Sequence, residues 1–318
     1  MWLGFPSHAE LWETDLGAAQ DEVAALARAL AGPGGEQVRL MVHGDEAMAA
    51  AQARLNGVAN IEFVPGRFGD IWLRDTGPIF ISASHAAAFR FNGWGGKYEL
   101  EHDDEVAEQI GQATPAELTR HDFILEGGAL DHDGQGTVLT TRQCLLNPNR
   151  NPGWMQEDAE AALATSLGVK KVLWLGDGLR NDHTDGHVDN LARFLAPGVV
   201  ACPITYGKGD PNANVYDETA ELLRGMSDAT GAKLTVMRIP SPGWIEDADG
   251  VMVPASHMNF LIANKAVVVP LYDHQRASDF AMEALRHLFP GREVIGLPSK
   301  AILTGGGSFH CISQQVPA

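Results

Sequence analysis

Gly305-Gly306-Gly307-Ser308-Phe309-His310-Cys311-Ile312-Ser313-Gln314-Gln315 is the stretch on which the reading of this chain turns. Three consecutive glycines open backbone dihedrals closed to other residues and let a main chain approach a ligand closely. The short alternation of apolar and polar residues that follows predicts a strand. Cys311 sits within it, seven residues from the end of the sequence. A free cysteine is most often a small buried hydrophobe. A thiol presented by a glycine turn is also how a nucleophile meets its substrate, and both readings stand at this point.

The totals narrow the class. With 318 residues, 45% hydrophobic and 20% charged, the chain can bury a substantial core. The apolar runs are too short to span a bilayer, so no membrane partner is expected. Met1-Trp2-Leu3-Gly4-Phe5-Pro6 lacks a basic region followed by an apolar core, so no secretory signal is expected. Three cysteines, Cys144, Cys202 and Cys311, are no disulfide framework. A reducing cytoplasm is the simplest setting, and a thiolate nucleophile needs one. The net charge of −18 argues against nucleic acid, which demands clustered Lys and Arg. It suits a cationic small molecule, although solubility alone also accounts for an acidic surface.

Periodicity predicts helices over 18–31, 46–55, 104–112, 156–167, 216–226 and 276–289. It predicts strands over 38–42, 61–64, 79–81, 87–91, 122–126, 137–141, 171–175, 188–195, 199–203, 234–237, 257–262, 266–271 and 293–295. Helices and strand pairs recur at a spacing of roughly sixty residues, which points to internal repetition. No low-complexity linker divides the chain, and one domain over 1–318 is expected.

The densest polar cluster is Asn181-Asp182-His183-Thr184-Asp185-Gly186-His187-Val188-Asp189. On an extended backbone His183, Asp185, His187 and Asp189 would share one face. Such a face suits a metal, for which His and Asp are ligands. It equally suits proton transfer by an imidazole beside a cation-binding carboxylate. Asp75, after Trp72-Leu73-Arg74, and Glu126, between Leu125 and Gly127-Gly128, are further carboxylates in apolar surroundings. With His187, Asp189 and Cys311 they make one thiol, one imidazole and three carboxylates, a set fit for attack on a planar cation.

Several blocks together resemble one family. Trp72-Leu73-Arg74-Asp75-Thr76-Gly77-Pro78, Phe91-Asn92-Gly93-Trp94-Gly95-Gly96-Lys97 and Leu125-Glu126-Gly127-Gly128 are similar to signatures of the agmatine deiminases and the related bacterial peptidylarginine deiminases. So are Leu145-Leu146-Asn147-Pro148-Asn149-Arg150-Asn151-Pro152, Thr184-Asp185-Gly186-His187-Val188-Asp189 and the Cys311 stretch. The blocks span the chain in the family's order.

The resemblance implies an α/β fold of the pentein type, five ββαβ-like units in pseudo-fivefold arrangement around a central site. It implies hydrolysis of a guanidinium to a ureido group and ammonia, with no metal and no cofactor. Cys311 would be the nucleophile and His187 the acid and base. Asp75 and Asp189 would grip the guanidinium, and Glu126 would hold either His187 or a guanidinium nitrogen. Trp72, Trp94 and Gly307 would wall the substrate. The expected partner is a small cationic guanidino compound, and a homo-oligomer such as a dimer is allowed. Agmatine, giving N-carbamoylputrescine, is the first candidate, ahead of arginine derivatives and peptidyl-arginine. The region between Tyr206 and His257 is shorter than in the family, and its Ser-Tyr-x-Asn-Phe block reads Ser256-His257-Met258-Asn259-Phe260 here.

Three other readings of the same residues remain. One is a metal-dependent amide or amidine hydrolase using His183, Asp185, His187 and Asp189. One is a non-catalytic binder of polyamine-like cations. One is transfer of the amidino group to an amine. His183 is otherwise expected to be a surface residue, and Cys144 and Cys202 to be packing cysteines.

Overall fold

The structure, a computed structural model, describes residues 1–317. Its strands form five small sheets. In four of them a short strand runs antiparallel to a central strand, and a helix carries the chain to a third strand parallel to the centre. These are Ile79–Ser82, His85–Arg90 and Glu117–Ile124; Asp131–His132, Thr137–Thr141 and Lys171–Leu175; Arg193–Ala196, Val199–Ile204 and Thr235–Pro240; and Leu261–Ile262, Ala266–Leu271 and Glu293–Pro298. The first sheet differs. Trp2–Gly4, Val38–Val42 and Ile61–Pro65 run parallel, because the long helix Leu16–Ala31 intervenes between the first two. This is the pentein arrangement, and the sixty-residue rhythm is its trace.

Local chemistry explains the elements. Val267, Val268 and Val269 are fully buried in the central strand Ala266–Leu271, as expected where crossover helices cover a parallel pair. Helix Gln275–Leu288 buries Ala277, Ala281 and Leu285, spaced by one helical turn, against that sheet. Burying a leucine such as Leu285 contributes about 1.5–3 kcal/mol. Helix Gln156–Leu167 stops at Gly168, whose φ of 70° is the left-handed conformation that glycine adopts without a Cβ penalty.

The ring is closed by its two ends. Ser313–Gln314 pairs antiparallel with Trp2–Gly4, in the register Leu3 to Ser313 and Trp2 to Gln314. The Gly4 amide donates to the Ile312 carbonyl at 3.1 Å. The first sheet thereby anchors the segment that carries Cys311.

Three expected strands need correction. The cysteine stretch is mostly turn: helix Lys300–Thr304 precedes it, Cys311 lies in a turn, and only Ser313–Gln314 is extended. The strand expected over 188–195 begins as a single helical turn, Val188–Asn190, before Arg193–Ala196. The strand expected over 257–262 begins likewise with His257–Asn259. In each case buried polar residues imitate strand alternation, but a tight turn is what aims them at the centre of the ring.

Candidate active site

The candidate site is assembled from the corresponding segment of each unit. The segment leading into the first strand of each sheet makes a tight turn and projects a polar side chain inward. Asp75 comes from the turn Leu73–Thr76, and Glu126 precedes the turn Gly127–Ala129. His187 and Asp189 flank the start of Val188–Asn190, Asn259 ends His257–Asn259, and Cys311 precedes Ser313–Gln314. All are buried, from 0% to 6% exposed.

Their contacts form one network. The Cys311 sulfur lies 3.6 Å from Asp189 Oδ2. Asn259 Nδ2 donates to the same sulfur at 3.1 Å. Asp75 Oδ1 accepts from the Gly128 amide at 2.9 Å and lies 3.7 Å from His187 Nδ1. Asp75 Oδ2 accepts from Trp94 Nε1 at 3.0 Å. Gly128 sits among these groups so closely that a Cβ there would meet His187 Nδ1 at 2.5 Å, Asp75 Oδ1 at 2.8 Å and Asp189 Oδ2 at 3.2 Å. The glycine is required by space.

Burial and like charge set the protonation. Burial, with Asp75 adding to it, pushes the Asp189 carboxyl up to about 7 against the pull of His187 and Arg193. Burial, then Asp189 and Asp75, push the Cys311 thiol well above its ordinary value, against hydrogen bonding to the Ser308 backbone and Asn259. Burial disfavours the imidazolium of His187, but Asp75, Cys144 and Glu126 outweigh it and raise its pKa well above the usual. These directions favour a neutral Cys311 thiol and a protonated His187.

A cavity of about 320 Å³ leads to the sulfur, walled by Trp12, Trp72, Asp75, Trp94, Gly307 and Cys311. Asp70 accepts from Trp12 Nε1 at 3.1 Å and Trp72 Nε1 at 2.6 Å, and so fixes both indoles. A Cβ on Gly307 would meet Trp72 at 2.6 Å and the Cys311 sulfur at 3.1 Å. Trp94 holds a φ of 54°. That conformation costs a bulky residue on the order of 1–3 kcal/mol, and here it brings the indole N–H to Asp75. A larger cavity of about 530 Å³, lined by Asp131, Arg193 and His310, does not include Cys311, so the chemistry belongs to the smaller one.

The expected shared face of four residues does not form. The backbone turns through positive φ at Asn181, Asp185 and Gly186, which sends the side chains apart. His183 Nδ1 pairs with the Tyr98 hydroxyl at 2.9 Å at the cavity wall. Asp185 pairs with Lys97 at 2.6 Å and with Arg150. Glu126 Oε1 pairs with Arg150 Nε at 2.8 Å, both side chains buried, and Arg150 also donates to the Thr184 carbonyl at 2.9 Å. That ion pair ties Glu126 to the loop that carries His187.

Two residues of the network escape sequence reasoning. Asn259, beyond its bond to the sulfur, accepts from the His310 amide at 2.9 Å through Oδ1. His310 Nδ1 lies 2.7 Å from Asp189 Oδ2; burial, then Arg193 and Arg74, hold its pKa well below the ordinary value, and the pairing assigns its proton to Nδ1. A polar Asn inside the apolar run Met258-Asn259-Phe260-Leu261-Ile262 was the available signal for the first.

A pentein ring with a thiol, an imidazole and carboxylates at its centre defines a class of proteins built to hold and attack a planar cation. The family model for Porphyromonas-type peptidyl-arginine deiminase matches residues 1–317. The chain is 35% identical to a putative agmatine deiminase of Yersinia pseudotuberculosis, over 100% of this chain and 92% of that protein. It is 36% identical to an agmatine deiminase of Pseudomonas aeruginosa, over 100% and 92%. The solved agmatine deiminase of Enterococcus faecalis superposes with a TM-score of 0.91 at 32% identity, over 99% of this chain and 92% of that one. The chain belongs to the Porphyromonas-type peptidyl-arginine deiminase family.

Proposed function

We propose that this chain is a guanidine hydrolase that converts agmatine and water to N-carbamoylputrescine and ammonia, acting as one catalytic domain. The observation that carries the proposal is the charge of the cavity ending at the Cys311 sulfur. Glu13, Asp15 and Asp75 line it, and among the described residues no Lys or Arg does; Asp70, raised to about 7 by burial, is spent on the two indoles. Agmatine carries a guanidinium at one end and an ammonium at the other, so both ends find carboxylates. The carboxylate of free arginine would enter without a counter-charge. The similarity to named agmatine deiminases supports the same substrate.

In this reading the guanidinium lies between Asp75 and Asp189, whose oxygens match its planar fork. The cation offsets the negative field that holds the Cys311 thiol neutral, so the thiol releases its proton to solvent as substrate binds. The thiolate attacks the guanidinium carbon, forming a C–S bond and a neutral tetrahedral adduct. The His187 imidazolium protonates one nitrogen, the C–N bond breaks, and ammonia leaves a cationic thiouronium on Cys311. Neutral His187 then removes a proton from water as the oxygen bonds to carbon. Collapse breaks the C–S bond, the hydroxyl proton passes to solvent, and the ureido product and the thiolate are released. Glu126, through Arg150, steadies the loop of His187 during both proton transfers.

The net charge of −18 supports a protein without nucleic acid as a partner. No helix among the described residues is long and apolar enough to cross a membrane, and the free thiols support a cytoplasmic setting. The test is a parallel assay of agmatine, free arginine and a blocked peptidyl-arginine for ureido product. Agmatine is expected to turn over with kcat/KM at least tenfold above the others. Equal or better turnover of arginine would reject the charge argument.

A further inference from the structure

Against the His187 imidazole lies a thiol the proposed reaction does not use, that of Cys144. The Cys144 sulfur, a Glu126 carboxylate oxygen and a His187 ring nitrogen all lie within 4.8 Å of one another. The three residues are 0%, 1% and 1% exposed. Both ring nitrogens of His187 lack a hydrogen-bond partner, which is rare for a buried polar atom. Cys144 is a free thiol. It is buried, as a packing cysteine should be, yet its sulfur faces the imidazole instead of an apolar neighbour.

We propose that this cluster is a latent site for a soft divalent cation, Zn²⁺ above all, and that its occupation removes His187 from catalysis. The donor set is the first argument. One thiolate, one imidazole and one carboxylate are the ligand types zinc prefers, and three protein ligands with an open fourth position is a common zinc arrangement. Bond lengths of about 2.0–2.3 Å place tetrahedral donors roughly 3.3–3.8 Å apart, a modest contraction from the present cluster.

Charge is the second argument. Glu126, Asp75 and a Cys144 thiolate bring three negative charges, and Arg150, 2.8 Å from Glu126, brings one positive. A divalent cation neutralises the remaining two. Binding releases the Cys144 proton and one imidazolium proton of His187 to solvent and forms Zn–S, Zn–N and Zn–O bonds, with no change of oxidation state. Metal-bound His187 can no longer become an imidazolium, and its remaining N–H is too weak an acid to protonate the leaving nitrogen, so ammonia departure fails. Magnesium and calcium, which prefer all-oxygen sets, do not fit.

The binding test needs no turnover. Cys311→Ser removes the other thiol near His187, and Co²⁺ replaces Zn²⁺ as a visible probe. The proposal expects a thiolate-to-cobalt charge-transfer band in Cys311→Ser that is abolished in the double variant with Cys144→Ser and displaced by Zn²⁺. Absence of the band in Cys311→Ser, or its persistence in the double variant, overturns the site. Should Cys144→Ser not fold, anomalous diffraction at the zinc edge from Zn²⁺-soaked crystals decides. A peak bonded to Cys144 and His187 supports the site; a peak on Cys311 alone, or none, rejects it. The inhibition arm rests on the role proposed for His187. There Zn²⁺ inhibits the wild type, and Cys144→Ser raises the half-inhibitory concentration roughly tenfold or more.

Discussion

Asn259 donates from Nδ2 to the Cys311 sulfur at 3.1 Å, and the same side chain accepts from the His310 amide at 2.9 Å. One amide therefore fixes both the sulfur and the backbone that carries it. A hydrogen bond to a charged acceptor contributes about 1.5–3 kcal/mol. Asn259→Ala is thus expected to lower kcat/KM by roughly 10- to 100-fold and to move the pH profile of Cys311 alkylation upward. Asn259→Asp, which sets a carboxylate against the thiolate, should be worse. Alkylation rates of the two variants that match the wild type across pH would remove Asn259 from the account.

Gly128 is a spatial requirement. A methyl there would lie 2.5 Å from His187 Nδ1 and 2.8 Å from Asp75 Oδ1. Gly128→Ala should lose at least roughly 100-fold in kcat, because small displacements of reacting groups are costly. Its backbone φ is not left-handed, so backbone strain contributes nothing. The variant should remain folded by circular dichroism, with crystals showing His187 displaced. Full activity would mean that the imidazole does not work from its present position.

Asp189 ties stability to pH. Its folded carboxyl is raised to about 7 by burial, above the ordinary 3.8. The folded state therefore holds a proton that the unfolded chain has released, and stability falls as pH rises from about 4 to 7. Asp189→Asn removes that loss. The variant should be more stable than the wild type by on the order of 2–4 kcal/mol at pH 8, with the difference vanishing near pH 4, while activity is lost. In the wild type kcat/KM for a cationic substrate should climb through pH 7 as Asp189 ionises. Thermal unfolding of both proteins across pH checks the first claim, and a flat difference would contradict it.

Trp94 links cavity shape to Asp75. Its φ of 54° is held while Nε1 donates to Asp75 at 3.0 Å. Trp94→Phe keeps the ring and removes the donor, so KM for agmatine should rise roughly tenfold with a smaller change in kcat. An unchanged KM would show that Asp75 needs no such support.

Much of this architecture was legible in the chain itself. The helix expected over 156–167 forms with those bounds, and the five-sheet ring left a sixty-residue rhythm. Asp75, Glu126, His187, Asp189 and Cys311 stood out as polar points in apolar surroundings, and the structure brings them to one centre. Asn259 left only the signal of a polar residue in an apolar run and His310 left none, because their partners lie 52 and 121 residues away. Only ring closure brings those segments together. The turns before the strands were misread for a related reason: a buried polar turn and an exposed strand edge both alternate in polarity. Cys144 could not be told from a packing cysteine, since its distinction is what its sulfur faces.

The most direct test of the central claim is intact-protein and peptide mass spectrometry of the wild-type enzyme acid-quenched during turnover of agmatine. The account predicts an adduct of agmatine less ammonia on the peptide containing Cys311, and no ureido product from Cys311→Ala. Ureido product at the wild-type rate from Cys311→Ala would contradict it.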